Sequence, residues 1–204
     1  MKYIDIQNNL RNLGVFTLND IRMLDTEFRE PTLNDWLNSG WIKRVRRFWY
    51  ADSSFNPQGN DYFFIANKIY PPSYISLESA LSYYGFIPET TLQITSISTR
   101  KTNIFDTQFG VFSYKSVKSS LYFGYEILQN NGRSIQFANP EKCILDYLYL
   151  HSAISNIQDF EGLRLNREMI KSRIDKDLMN KYLNQFDSLE LRGRYNLLVK
   201  YLNA

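Results

Sequence analysis

The sequence predicts an α+β fold in two units, and three observations carry that prediction. Up to Gly40 the apolar residues recur at helical spacing, then give way to a β-branched, aromatic and basic run at 41–50. Further on, two alternating runs flank Asn131-Gly132, a pair that favours the tight turn of a hairpin. The chain then ends in amphipathic helix. With 204 residues, 44% of them hydrophobic and 16% aromatic, there is enough apolar surface to build a core.

Taken in order, Tyr3, Ile6, Leu10 and Leu13 share one helical face, and Gly14 can end that helix. Thr17 can cap a second helix carrying Leu18, Ile21 and Leu24. Pro31 and Thr32, with Asp35 three residues after the threonine, open a third helix that ends at Ser39-Gly40 and turns Leu33, Trp36 and Leu37 inward. Thr32, Asn34, Asp35 and Asn38 then point outward. The run Trp41 to Tyr50 has no helix cap and no acidic residue and reads as a hairpin carrying Lys43, Arg44, Arg46 and Arg47.

Three short helices followed by a basic hairpin is the order of a winged helix-turn-helix, in which the third helix enters the major groove and the wing meets the adjacent backbone. The DNA-binding candidates are therefore Thr32, Asn34, Asp35, Asn38, Lys43, Arg44, Arg46 and Arg47. Asn34 and Asn38 can offer amides to base edges, while Asp35 serves as a cap or accepts from a cytosine amino group. Four cations within five residues repel one another and gain most from an anionic partner such as phosphate. A solvated wing without a ligand is the alternative reading.

Asp52 to Asn60 is a loop-like stretch and the expected linker, dividing a winged-helix unit at 1–58 from an α+β unit at 59–204. Past it, Asp61–Tyr70 reads as a helix. Ser76 can cap another, with Leu77, Ala80, Leu81 and Tyr84 on one face and Gly85 and Pro88 closing it. Thr91 to Arg100 and Phe109 to Lys118 read as strands, and Tyr122–Leu128 with Arg133–Phe137 as a hairpin, so an antiparallel sheet is expected. Asn139 and Pro140 open a helix to His151 that is apolar nearly all round and should be buried on the sheet. Leu178, Met179, Tyr182, Leu183 and Phe186 form one stripe of the tail, and Leu191, Tyr195, Leu198, Val199 and Leu202 another. A fragment starting near Gly59 is expected to hold a core of its own.

The usual catalytic constellations are missing. There is one His and one Cys, no phosphate-binding Gly-x-x-x-x-Gly-Lys, no Gly-x-Ser-x-Gly, and no acidic residue followed two places later by Lys. His151 and Cys143 read as packing residues. Asp175-Lys176-Asp177 looks like the metal-binding half of a nucleotidyltransferase site, but no Gly-Ser pair accompanies it, and an acidic helix start is the other reading. No catalytic, metal or cofactor residue is expected. A single Cys excludes an internal disulfide, and the absence of a basic-then-apolar leader or of an apolar run near ~18 residues implies a cytoplasmic chain without membrane spans. Net charge is only +3, and residues 1–62 balance 8 basic against 8 acidic, so nucleic-acid binding must rest on the local cluster. The 15 Tyr and 14 Phe could stack bases, but their alternating positions without interleaved cations favour core packing.

Three blocks carry a resemblance: Ser73 to Glu89, Thr-Ser-Ile-Ser-Thr-Arg-Lys-Thr at 95–102, and Ala-Asn-Pro-Glu-Lys-Cys-Ile-Leu-Asp at 138–146. Together they resemble the AbiEi-type antitoxins of abortive-infection toxin–antitoxin systems, and the stretch 14–50 fits that family's winged-helix start. The last fifty residues match only in helical character. The resemblance implies a type IV antitoxin that represses its own operon through operator DNA and opposes a nucleotidyltransferase toxin, with no need for a stable complex. Members usually carry a Gly near the wing tip, where this chain has Phe48. Set apart from the family, the same residues suit a stand-alone transcriptional regulator whose second unit senses a ligand or dimerises; an enzyme acting on nucleic acid fits least.

Overall fold

The computed structural model describes residues 2–88 and 92–204. Glu89 of the first block and Thr91, the expected start of a strand, lie outside the described residues.

The N-terminal unit runs α1 (Tyr3–Leu13), β1 (Val15–Phe16), α2 (Leu18–Leu24), α3 (Glu30–Asn38), β2 (Ile42–Arg46) and β3 (Trp49–Asp52). Its sheet has the order β1-β3-β2 and is antiparallel throughout. Local chemistry sets the helix ends. Gly14 takes a left-handed φ of +72° and donates to the carbonyls of Leu10 and Arg11, while Thr17 and Asp20 bond reciprocally across the first turn of α2. The third helix departs from expectation at its start. It begins at Glu30 with Pro31 in the first turn, where a missing N–H costs nothing, so Thr32 and Asp35 lie inside it and Asp35 is not a cap. Tyr3, Ile6, Leu10, Phe16, Ile21, Phe28, Leu33, Trp36, Ile42 and Tyr50 close a small core, in which the Tyr3 ring meets Trp36 edge-on at 5.1 Å and stacks on Trp41 at 5.2 Å.

The larger unit runs α4 (Asp61–Ile69), β4 (Ser73–Ile75), α5 (Leu77–Tyr83), β5 (Gln93–Ser98), β6 (Asn103–Thr107), β7 (Gly110–Ser116), β8 (Tyr125–Asn130), β9 (Arg133–Ala138), α6 (Pro140–Leu150), α7 (Arg167–Arg173), α8 (Lys176–Phe186) and α9 (Leu189–Asn203). Its six strands lie in the order β6-β7-β5-β4-β9-β8. The sheet is mixed, which corrects the expected antiparallel one: β5 is parallel to β7 and β4 to β9. The cause is insertion. After β6, β7 turns back between β6 and β5 and so runs alongside β5 in the same direction. Asn131 and Gly132, at φ +52° and +76°, make the tight turn joining β8 to β9, as their sequence predicts. Helix α6 is buried along most of its circumference and packs against α5, α8 and α9.

The expected linker is tied down at its first residue. Asp52 is fully buried, bonded by the hydroxyls of Tyr3 and Ser54 and by the Ser54 N–H at 2.8 Å, with Arg11 Nε at 3.5 Å. Val15, Val45 and Ala51 of the N-terminal unit belong to the larger core. Arg133, just past the β8–β9 turn, donates to the carbonyls of Arg11 and Asn12 at 3.1 and 3.3 Å, capping the end of α1, and pairs with Asp61 at 3.2 Å. The two units therefore share apolar and polar contacts. Among the described residues no helix is long and apolar enough to cross a membrane.

Candidate nucleic-acid interface

Burial of Leu33 and Trp36 fixes which face of α3 looks outward. Asn34, Asp35 and Asn38 are exposed on it, and Thr32 is half-buried. In the hairpin, Ile42 and Val45 anchor β2 to the interior, Lys43 is half-buried, and Arg44 and Arg47 are exposed. The Arg44 guanidinium lies 5.9 Å from the Tyr50 ring centre and that of Arg47 lies 4.7 Å from Phe48.

Arg46 does not join them. Its Nη1 donates to the Ile69 carbonyl at 2.7 Å, and its guanidinium carbon sits 4.0 Å from the Phe105 ring centre and 5.9 Å from that of Tyr70. Burial, with the nearby charge of Arg100, pulls its pKa below the ordinary arginine value, against the opposing influence of Tyr114 and Tyr70. The fourfold cluster read from the sequence thus divides into two exposed residues, the half-buried Lys43, and one that clamps the hairpin to the larger unit. A second clamp is the Gln108 amide, which donates to the Arg44 carbonyl at 3.0 Å.

The same junction holds two cations that the sequence reading passed over. Arg100 lies 4.2 Å from the centre of the Tyr70 ring that Arg46 also approaches, and the Tyr70 hydroxyl donates to the Lys101 carbonyl at 2.8 Å. Arg100 and Lys101 are exposed. The signal was an adjacent Arg-Lys pair with no acidic residue between 90 and 105, but only the fold brings it beside the hairpin. None of Lys43, Arg44, Arg46, Arg47, Arg100 or Lys101 forms an ion pair among the described residues.

At the hairpin tip, Phe48 has a φ of +69° and is 63% exposed. A left-handed backbone costs a side-chain-bearing residue about 1–2 kcal/mol that glycine avoids. The tip thus keeps the conformation glycine would favour and places an aromatic ring on it.

The three sequence blocks converge elsewhere, in the core. The Tyr74 and Ser76 hydroxyls donate to one oxygen of Asp146 at 2.9 and 2.8 Å, and Lys142 Nζ bonds the other. Thr95 Oγ1 donates to the Ser76 carbonyl at 2.7 Å, and its N–H to Ser79 Oγ at 2.8 Å. Ser76 therefore stands at the start of α5 without capping it, its hydroxyl being held by Asp146. Asn139 does cap α6, accepting from the Lys142 N–H at 2.9 Å. Lys142 and Asp146 are fully buried, and burial pushes the carboxyl up and the ammonium down from their ordinary values. With Tyr74, Ser76, Lys142 and Asp146 fully enclosed, this network organises the core. Asp175 caps α8, accepting from the N–H groups of Asp177 and Leu178 at 2.8 and 3.1 Å. Among the described residues no group of three His, Cys, Asp or Glu is placed to hold a metal ion. A cavity of about 320 Å³ lies among α6, α7, α8 and α9, lined by Ile144, Ile170, Met179 and Leu198 with Lys171 and Lys176 beside it.

No protein-family model matches the chain, and no curated protein is significantly similar to it.

Proposed function

We propose that this chain is a DNA-binding antitoxin, with residues 1–58 acting as a winged helix-turn-helix and residues 59–204 carrying the toxin-opposing action. The observation that supports DNA binding most directly is the pairing of two exposed features in one unit. One is the amide-bearing face of α3, with Asn34 and Asn38, and the other is a hairpin whose Lys43, Arg44 and Arg47 form no ion pair among the described residues. Phosphate would supply a counter-charge, and base edges in a major groove would suit the amides. Arg100 and Lys101 extend the basic surface on the larger unit. The partner on this reading is double-stranded operator DNA, bound so as to repress the chain's own operon.

The antitoxin half of the proposal rests on the resemblance of the three blocks to AbiEi-type proteins. Their polar residues converge on Asp146 and Ser76, so they specify a particular α+β core, and the functional partner would be a nucleotidyltransferase toxin opposed without a stable complex. Each half has its own experiment. Selection of binding duplexes from a random-sequence pool tests the first, and co-expression with a nucleotidyltransferase encoded beside the gene, scored by growth, tests the second. Enrichment together with rescue is expected. Enrichment without rescue would favour a stand-alone regulator, a reading to which the cavity among α6 to α9 lends a ligand-sized site.

A further inference from the structure

We infer that Phe48 is a wedge that enters a base step of duplex DNA from the minor groove, the wing thereby kinking its target as well as binding it. The inference rests on the DNA-binding reading above and adds a mode of contact to it.

Four observations meet at this side chain. Of the three consecutive aromatics at 48–50, Trp49 packs against the larger core and Tyr50 is buried in the smaller one, whereas Phe48 is 63% exposed. It contributes little to either core. Its backbone is left-handed, at φ +69°, a conformation that favours glycine and that Phe holds only at a cost. A ring kept at a strained, exposed tip is the kind of placement that marks a contact made with something else. The guanidinium of Arg47 lies 4.7 Å from the Phe48 ring, so a cation accompanies the apolar group into whatever it meets. An apolar partner surface would have to bury that charge, whereas the minor groove offers acceptors and a strong negative potential to the arginine and a base step to the ring.

The fourth observation is support. A wedge must be held stiffly, because unstacking a step does work against it. The hairpin below the tip is fastened to the larger unit by Arg46, through Ile69 and Phe105, and by Gln108 on the Arg44 carbonyl. The register shift between Arg44 and Arg46 lets Arg46 turn toward these partners within a short hairpin. On this view the larger unit acts as the brace of the wing.

The test uses the full chain and a duplex selected with it, carrying 2-aminopurine at successive positions and, in a second set, dyes at both ends. The parent should raise 2-aminopurine emission severalfold at one or two adjacent positions and shorten the end-to-end distance. Phe48→Gly, which keeps the tip backbone and relieves its strain, should melt no lower than the parent. It should lose both signals and bind at least tenfold more weakly, while Phe48→Leu keeps part of each. Normal binding by the parent with no 2-aminopurine response, or a Phe48→Gly variant that retains affinity and bend, overturns the wedge and leaves the DNA-binding reading standing. Failure of the parent to bind any duplex would remove both. A Phe48→Gly variant that loses only toxin rescue would make the tip a protein contact and likewise overturn the wedge.

Discussion

The guanidinium carbon of Arg46 lies 4.0 Å from the centre of the Phe105 ring, so a residue of the basic hairpin is joined to a strand nearly sixty positions later. That relationship separates Arg46 from its neighbours in kind. Arg46→Ala should lower stability by about 1–3 kcal/mol, from one charge-assisted hydrogen bond and the partly buried cation–π contacts with Phe105 and Tyr70. Replacing Lys43, Arg44 and Arg47 together by Ala should leave denaturant midpoints nearly unchanged. It should reduce the slope of log affinity against log salt by up to about three ion units. Urea melts beside salt-series gel shifts check both, and an equal loss of slope on Arg46→Ala would place that residue on the phosphates.

For α3 the expected effect is specificity. Asn34→Ala or Asn38→Ala should cost about 1–3 kcal/mol on a selected duplex and little on random DNA, because a bidentate amide contact to adenine is lost only where adenine is present. Both side chains are exposed, so stability should stay within about 0.5 kcal/mol of the parent. Competition binding gives the ratio, and equal losses on both DNAs would assign a merely structural role.

Local chemistry made much of this fold legible. Gly14, the Thr17–Asp20 reciprocal cap, the Asn131-Gly132 turn and the Asn139-Pro140 opening each act through neighbours a few residues away, and each element lies where that chemistry predicts. What escaped was decided at long range. Strand β4 is three residues long and gains its identity only by sitting between β5 and β9. Strand β6 is a sheet edge with no buried residue, so it lacks the alternation that marks a half-buried strand. The burial of α6 was legible, but the pairing of Lys142 with Asp146 inside it was not, since a charge one turn from its partner reads the same whether water or Phe123 and Phe186 surround it. The direction of Arg46 likewise depended on what covers the hairpin, which strand periodicity does not encode.

The buried pair itself yields a prediction. Asp146→Ala leaves the Lys142 ammonium enclosed without a counter-charge and strips an acceptor from Tyr74 and Ser76, so a loss of about 3–5 kcal/mol is expected. The double replacement Lys142→Met with Asp146→Leu should recover much of that loss, because it removes the buried charges together. Thermal melts of Lys142→Met alone, Asp146→Leu alone and the double variant decide it. Additive losses would mean that the pair contributes nothing as a pair.

Acid stability should trace to Asp52. Burial alone would raise its carboxyl, but hydrogen bonds from Ser54, Tyr3 and Gln7 together outweigh burial and hold it below its ordinary value. A carboxyl depressed in the folded state adds stability that is fully present above the unfolded value, about 3.9, and is lost as pH falls through the folded one. Asp52→Asn should therefore cost about 1–3 kcal/mol at pH 7. It should also flatten the decline of melting temperature below about pH 4. A parallel acid limb in parent and variant would move the sensitivity to another carboxylate.

The last prediction concerns how separable the two units are. A fragment beginning at Gly59 keeps α4 to α9 and all six strands of the mixed sheet, which is enough for a core. It loses Val15, Val45 and Ala51 from that core, and Arg133 loses its carbonyl partners on α1. At about 1.5–3 kcal/mol for each buried valine and about 1 for the alanine, the fragment should fold with roughly 5 kcal/mol less stability than the full chain. It should bind no selected duplex, since α3 and the hairpin are gone. On the proposed reading it should still relieve part of the toxicity of a co-expressed nucleotidyltransferase. Growth must be scored at low temperature and beside a circular dichroism melt, so that an unfolded fragment is not mistaken for an inactive one. A folded fragment that gives no rescue, next to a full chain that does, would place protection in DNA binding and make the regulator reading the better account of the larger unit.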